Sequence, residues 1–106
     1  MELSFIKTEN GYVSEFKVES DFNLHVETEG KGVIELHQTS VEGANYDKVE
    51  MLNSNYHDRV VDKTIIVPLS PMWLKITSTT RPTLAIVTSN GEITEGGVVT
   101  TLNTPV

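Results

Sequence analysis

The chain is expected to fold as an all-β domain, a two-sheet antiparallel sandwich of immunoglobulin-like or jelly-roll type with little or no helix. Three observations lead there. Valine, isoleucine and threonine are abundant while alanine is scarce, the composition of pleated, half-buried surfaces. Short runs of alternating apolar and polar residues recur along the whole length, separated by Gly, Asn, Asp and Pro, which is strand-and-turn patterning. No long run carries apolar residues at the three-and-four spacing of an amphipathic helix.

Residues 3–7 read as a first strand, and Asn10-Gly11 as the turn after it, because that dipeptide readily takes positive φ. In residues 12–19, Ser14, Phe16 and Val18 share one face while Glu15, Lys17 and Glu19 share the other, the mark of a half-solvated strand. Residues 22–28 alternate most cleanly, with Phe22, Leu24 and Val26 inward and Asn23, His25 and Glu27 outward. Gly30-Lys31-Gly32 reads as a short hairpin loop into residues 33–38. A three-residue loop sets Val26 opposite Leu36 and His25 opposite His37, whereas a two-residue loop mismatches the faces.

Residues 39–49 carry a loop long enough to project, leading into a strand at residues 46–52, and residues 53–58 form a polar surface connection. The most apolar part of the chain, residues 64–77, holds the single tryptophan and supplies two runs taken as a central pair, 59–69 and 72–77. Pro68 and Pro71 force a bend between them. In the second run Met72, Leu74 and Ile76 alternate with Trp73, Lys75 and Thr77, which turns Trp73 away from the core. A strand over residues 83–88 follows, then a turn at Ser89-Asn90-Gly91. Residues 1–95 make up the sandwich. Residues 96–106 are β-prone and uncharged, and read either as a final edge strand or as an extended arm that adds a strand to a neighbouring subunit.

A length of 106 residues suits one domain with a real core. The absence of cysteine excludes a disulfide framework, thiolate metal sites and a cysteine nucleophile, and fits a reducing compartment. The opening residues lack the pattern of a signal peptide, and the chain reads as soluble and untargeted, with no membrane partner. A net charge of −7 repels duplex DNA and anionic lipid, so nucleic acid is not an expected partner.

Chemistry finds little support. If His25 and His37 face each other, Glu27 and Glu35 form the next pair, and that patch has ligands for a divalent ion such as zinc; a plain solvated sheet face has the same pattern and is the preferred reading. His57-Asp58 lies in a polar loop without a nucleophile elbow. No glycine-rich phosphate loop, His-x-x-x-His pair or paired-carboxylate setting occurs, and neither catalysis nor a cofactor is expected. Tyr12, Tyr46, Tyr56 and Trp73 offer rings for sugar stacking, but an interface is the preferred use of a tryptophan beside a turn.

Three segments carry a family resemblance: residues 38–49, with the Ser40-x-x-Gly43-x-x-Tyr46 loop; residues 71–78, with Pro71-x-Trp73-Leu74-Lys75-Ile76; and residues 81–85. Across the middle half of the chain they resemble small β-sandwich virion proteins of tailed bacteriophages, namely the auxiliary capsid, decoration and head-fibre modules of phages of gut bacteria, including the crAss-like group. The resemblance implies a non-enzymatic structural protein of the virion, made in the host cytoplasm and acting through assembly with other virion proteins or with itself as a homo-oligomer. Trp73, Tyr46, Tyr56, Val98, Val99 and Leu102 are the expected interface residues. The alternative is a carbohydrate-binding module whose partner is a glycan held by Trp73, Tyr46 and Tyr56, with calcium on acidic loop residues.

Overall fold

The computed structural model describes residues 1–53, 58–67, 71–89 and 93–95. Nine strands fall within them: β1 (Ile6–Thr8), β2 (Gly11–Val18), β3 (Phe22–Thr28), β4 (Ile34–Thr39), β5 (Asp47–Met51), β6 (Val60–Ile65), β7 (Met72–Ser78), β8 (Pro82–Ser89) and β9 (Ile93–Glu95). All pairings are antiparallel. The larger sheet runs β1-β2-β7-β4-β5, and β9 joins it by sharing the free edge of β2: β1 pairs with Gly11 to Val13 and β9 with Phe16 to Val18. The smaller sheet runs β6-β3-β8. The expected two-sheet sandwich is therefore what forms.

Alternation decides which side of each strand is inside. Phe16 and Val18 of β2, Phe22, Leu24 and Val26 of β3, Ile34 and Leu36 of β4, Met72, Leu74 and Ile76 of β7, and Ala85 and Val87 of β8 meet in one core. Phe16 and Phe22 cross the gap between sheets edge to face, with centroids 5.6 Å apart at 84°. Each fully buried residue of Val or Leu size contributes on the order of 1.5–3 kcal/mol. Strand β7 lies between β2 and β4, with Ile76 opposite Ser14 on one side and Leu36 on the other, and Ile76 has no exposed surface.

Among the described strands, β1–β2 and β4–β5 are the hairpins; the other consecutive strands lie on different sheets. Pairs β2–β9, β3–β8 and β4–β7 nest inside one another, as when one long hairpin is folded over on itself. In the immunoglobulin order the middle strand of the smaller sheet falls between its neighbours in sequence. Here the middle strand, β3, precedes both.

This topology corrects several expectations. The link after β3 is a crossing and not a hairpin loop: Val26 opposes Val61 and Ala85, Leu36 opposes Ile76, and His25 and His37 lie on different sheets. The crossing is held by the β7–β8 turn, where Thr80 Oγ1 donates to the Gly30 carbonyl at 3.0 Å and Val33 N–H donates to Thr79 Oγ1 at 2.8 Å. The two runs of the apolar centre are likewise not paired, since β6 is an edge of the smaller sheet and β7 is interior to the larger.

The expected first strand is split. Glu2 bridges Ile86 beside β8, with Leu3 N–H donating to the Ala85 carbonyl at 2.9 Å, and the chain then crosses to become β1. Asn53, expected on a surface connection, is buried. Its Oδ1 accepts from Ile34 N–H at 3.1 Å and its Nδ2 donates to the Gly32 carbonyl at 2.8 Å, tying the start of β4 to the end of β5. Where β5 and β6 border the same open side, an ion pair between Glu50 and Lys63 spans the two sheets.

Gly11 opens β2 at φ +136°, and a Cβ there would stand 2.3 Å from the Ser78 carbonyl oxygen; nothing lies within 4 Å of a Cβ at Gly30. Gly11→Ala is expected to cost about 1–3 kcal/mol through strained backbone, and Gly30→Ala less than about 0.5 kcal/mol. Urea denaturation of the two variants measures the difference.

Candidate functional site

The outward residues of β2, β7, β4 and β5 form the outer face of the larger sheet. Register lines them up in rows: Lys17, Trp73 and Thr39 in one, Glu15, Lys75, His37 and Lys48 in the next, and Val13, Thr77, Glu35 and Met51 in the third. Trp73 lies on this face as its alternation predicts, and is half-buried because the neighbouring strands crowd it. Lys17 stands over its ring at 5.8 Å from the centroid, within reach of the ring quadrupole.

Tyr46 is brought to the same face by the connection between β4 and β5. Residues 40–45 are exposed, as a projecting loop should be, with Gly43 at φ +84°. The loop does not carry Tyr46 outward with it, however. The Tyr46 hydroxyl donates to Glu15 Oε2 at 2.9 Å across the sheet, and Lys75 Nζ sits 4.8 Å from the Tyr46 ring centroid. The two aromatic rings are thus fixed by three charged residues, Glu15, Lys17 and Lys75. Of the remaining expected interface residues, Tyr56, Val98, Val99 and Leu102 lie outside the described residues, as does His57.

Burial raises the Glu15 carboxyl above its ordinary range, with the Tyr46 hydrogen bond and the Lys75 charge pulling the other way. Burial and the hydrogen bond to Glu15 push the Tyr46 hydroxyl up, so it stays a neutral donor. His37 is lowered, first by burial and then by Lys75, with Glu35 opposing. Its Nε2 lies 3.4 Å from Thr77 Oγ1 and 3.6 Å from Glu35 Oε1. A hydrolytic triad places nucleophile and carboxylate on opposite ring nitrogens; here hydroxyl and carboxylate approach the same one. Beside them Thr8, Tyr12, Val13, Val33 and Glu35 line an open depression of 510 Å³.

The outer face of the smaller sheet differs in character. Its central row is Asp62, His25, Ile86 and Glu2, flanked by Val60, Glu27 and Leu84 on one side and by Thr64, Asn23 and Thr88 on the other. His25 Nε2 bonds Glu27 Oε2 at 2.7 Å, and Nδ1 is 3.7 Å from Asp62. The hydrogen bond to Glu27 raises the imidazole above its usual value, burial opposing and the charges of Asp62 and Glu27 adding. The four-residue patch that the sequence allowed for a divalent ion, beside the preferred reading of a solvated sheet face, does not assemble. His25 and Glu27 are on one outer face, His37 and Glu35 on the other, and among the described residues no group of three metal-ligating side chains converges.

Sequence alternation marks Glu15, Lys17 and Lys75 as outward, but their pairing with the two rings depends on β2 and β7 being neighbours, which no local signal announces. Comparison with family models, with curated proteins and with solved structures gives no match.

The two described histidines are expected to titrate apart, His25 above 6.5 and His37 below it. Stability contributed through His25 is present below 6.5 and lost as pH rises through its raised pKa. The contribution of His37 has the opposite sign, falling away as pH drops below 6.5 toward its lowered pKa. Imidazole NMR titration measures both, and the reverse order would refute the geometry. A carboxyl-carbon NMR titration should find Glu15 moved further upward in Tyr46→Phe, because the variant removes a hydrogen bond to the charged carboxylate.

Proposed function

We propose that the protein is a non-enzymatic structural protein of a virion, of the capsid-decoration, auxiliary or fibre-associated kind, which works by binding other virion proteins or further copies of itself. The observation that supports this reading best is the outer face of the larger sheet, where Trp73 and Tyr46 stand half-buried, each with a lysine over its ring. Aromatic side chains held in one rotamer lose little entropy when a partner covers them, and tryptophan and tyrosine are enriched among residues that dominate binding energy.

The same detail weighs against the glycan reading. A sugar stacks on an uncovered ring, and in both aromatics a cation already occupies one side. The face is also the outside of a sheet and not a cleft that surrounds a ligand. The resemblance of residues 38–49 and 71–78 to phage sandwich modules supplies the biological setting of the proposal, and the face supplies the mode of action.

Native mass by light scattering over a wide concentration range tests it. An oligomer that Trp73→Ala dissociates, with the secondary structure of the variant unchanged by circular dichroism, is the expected result; truncation of a buried interface tryptophan costs upward of about 2 kcal/mol of binding. An oligomer unaffected by Trp73→Ala, or binding of the protein to arrayed glycans that the variant abolishes, would overturn it.

A further inference from the structure

We infer that copies of this chain associate head to tail, the outer face of the larger sheet of one copy packing on the outer face of the smaller sheet of the next. The inference rests on the assembly reading above and names the partner surface. Its basis is an uneven distribution of charge. The chain carries eight Lys and Arg against fifteen Asp and Glu, yet the rows of the larger sheet's outer face hold Lys17, Lys48 and Lys75 against Glu15 and Glu35, with the exposed Glu19 following the end of β2. Glu15 accepts from the Tyr46 hydroxyl and Glu35 is paired with Lys48, so within these rows lysines outnumber acids and stand beside two aromatic rings.

The other face is its complement. Glu2, Glu27 and Asp62 point outward from the smaller sheet, and among the described residues of its rows there is no Lys or Arg. Arg59 and Arg81 precede β6 and β8, Arg81 pairing with Glu29. Lys63 is turned inward to Glu50. Between the acids the face exposes apolar surface: Val60 is 52% and Ile86 36% exposed, with Leu84 beside them.

Three pairings between two copies are available, and electrostatics separates them. Larger sheet on larger sheet sets lysines against lysines, and smaller on smaller sets Glu27 and Asp62 against their equivalents. Each like-charge juxtaposition disfavours its own pairing, although two-fold contacts are otherwise the commonest. Larger on smaller brings Lys17 and Lys48 to Glu27 and Asp62 and lays Trp73 against the Val60 and Ile86 surface. That contact is heterologous: the pair keeps one face of each kind free, one on each copy, and the assembly closes into a ring or continues as a stack.

Two double variants of the full chain test this. One is Lys17→Glu with Lys48→Glu, the other Glu27→Lys with Asp62→Lys. Each alone is expected to associate about a hundred-fold or more less tightly than the unaltered chain, since like charges then face each other. An equimolar mixture is expected to regain the association, because each altered face meets its complement on the other variant. Sedimentation velocity at matched salt reads all three samples. A charge-removing pair, Lys17→Gln with Lys48→Gln, weakens association to a lesser degree and covers the case in which reversal impairs folding.

Unaltered chains that associate while either reversal variant does so equally well would overturn the face pairing and leave the assembly reading standing. Two variants that are folded and monomeric, with a mixture that stays monomeric, would also overturn it, pointing to an acidic surface on a different protein as the partner of the lysines. A chain monomeric at every concentration would remove self-assembly altogether, and this inference with it.

Discussion

Strand β7 has to satisfy two neighbours and two faces at once, and the rest of the molecule is arranged around that requirement. Its inward residues, Met72, Leu74 and Ile76, are 4%, 1% and 0% exposed, so the strand cannot slip by one position without turning Trp73, Lys75 and Thr77 into the core. Its two edges are filled by β2 and β4, which fixes Lys17 beside Trp73 and His37 beside Lys75. The chemistry of the outer face is therefore a consequence of core packing: register chosen by three buried side chains decides which charges meet which rings.

The sandwich is closed in different ways at its two sides. On one side residues 1–3 lie along β8 and then cross to become β1, while β1 and β9 divide the edge of β2 between them. On the other, β5 and β6 are both edges, joined through Glu50 and Lys63 and blunted by a bulge where β5 shifts register between Leu36 and His37. Bulges and inward-pointing lysines are means by which edge strands avoid unwanted pairing. Two such features, at β5 and β6, leave these edges poor templates for an added strand.

Period-two alternation was legible from the sequence because it depends on local geometry alone. It placed Phe22, Leu24, Val26, Met72, Leu74 and Ile76 inside and Trp73 outside, and the structure agrees at each of them. What could not be read was which strand lies beside which. A Gly-Lys-Gly segment serves as well in a sheet-to-sheet crossing as in a hairpin. At residues 30–32 the choice is made by Thr79 and Thr80, nearly fifty residues further along the chain, whose hydroxyls meet the Gly30 carbonyl and the Val33 amide. The anchoring of Tyr46 to Glu15 is hidden for the same reason, since it depends on the β4–β5 connection folding back over the sheet.

The chain provides its own probe of whether the proposed assembly covers the Trp73 face, because it has a single tryptophan. The most direct measurement is acrylamide quenching of Trp73 fluorescence as the protein is concentrated through its association range. A quenching constant that falls, with emission moving to shorter wavelength in step with the rise in mass, is the predicted result. A growing mass with unchanged quenching and emission would place the contact elsewhere and contradict the account.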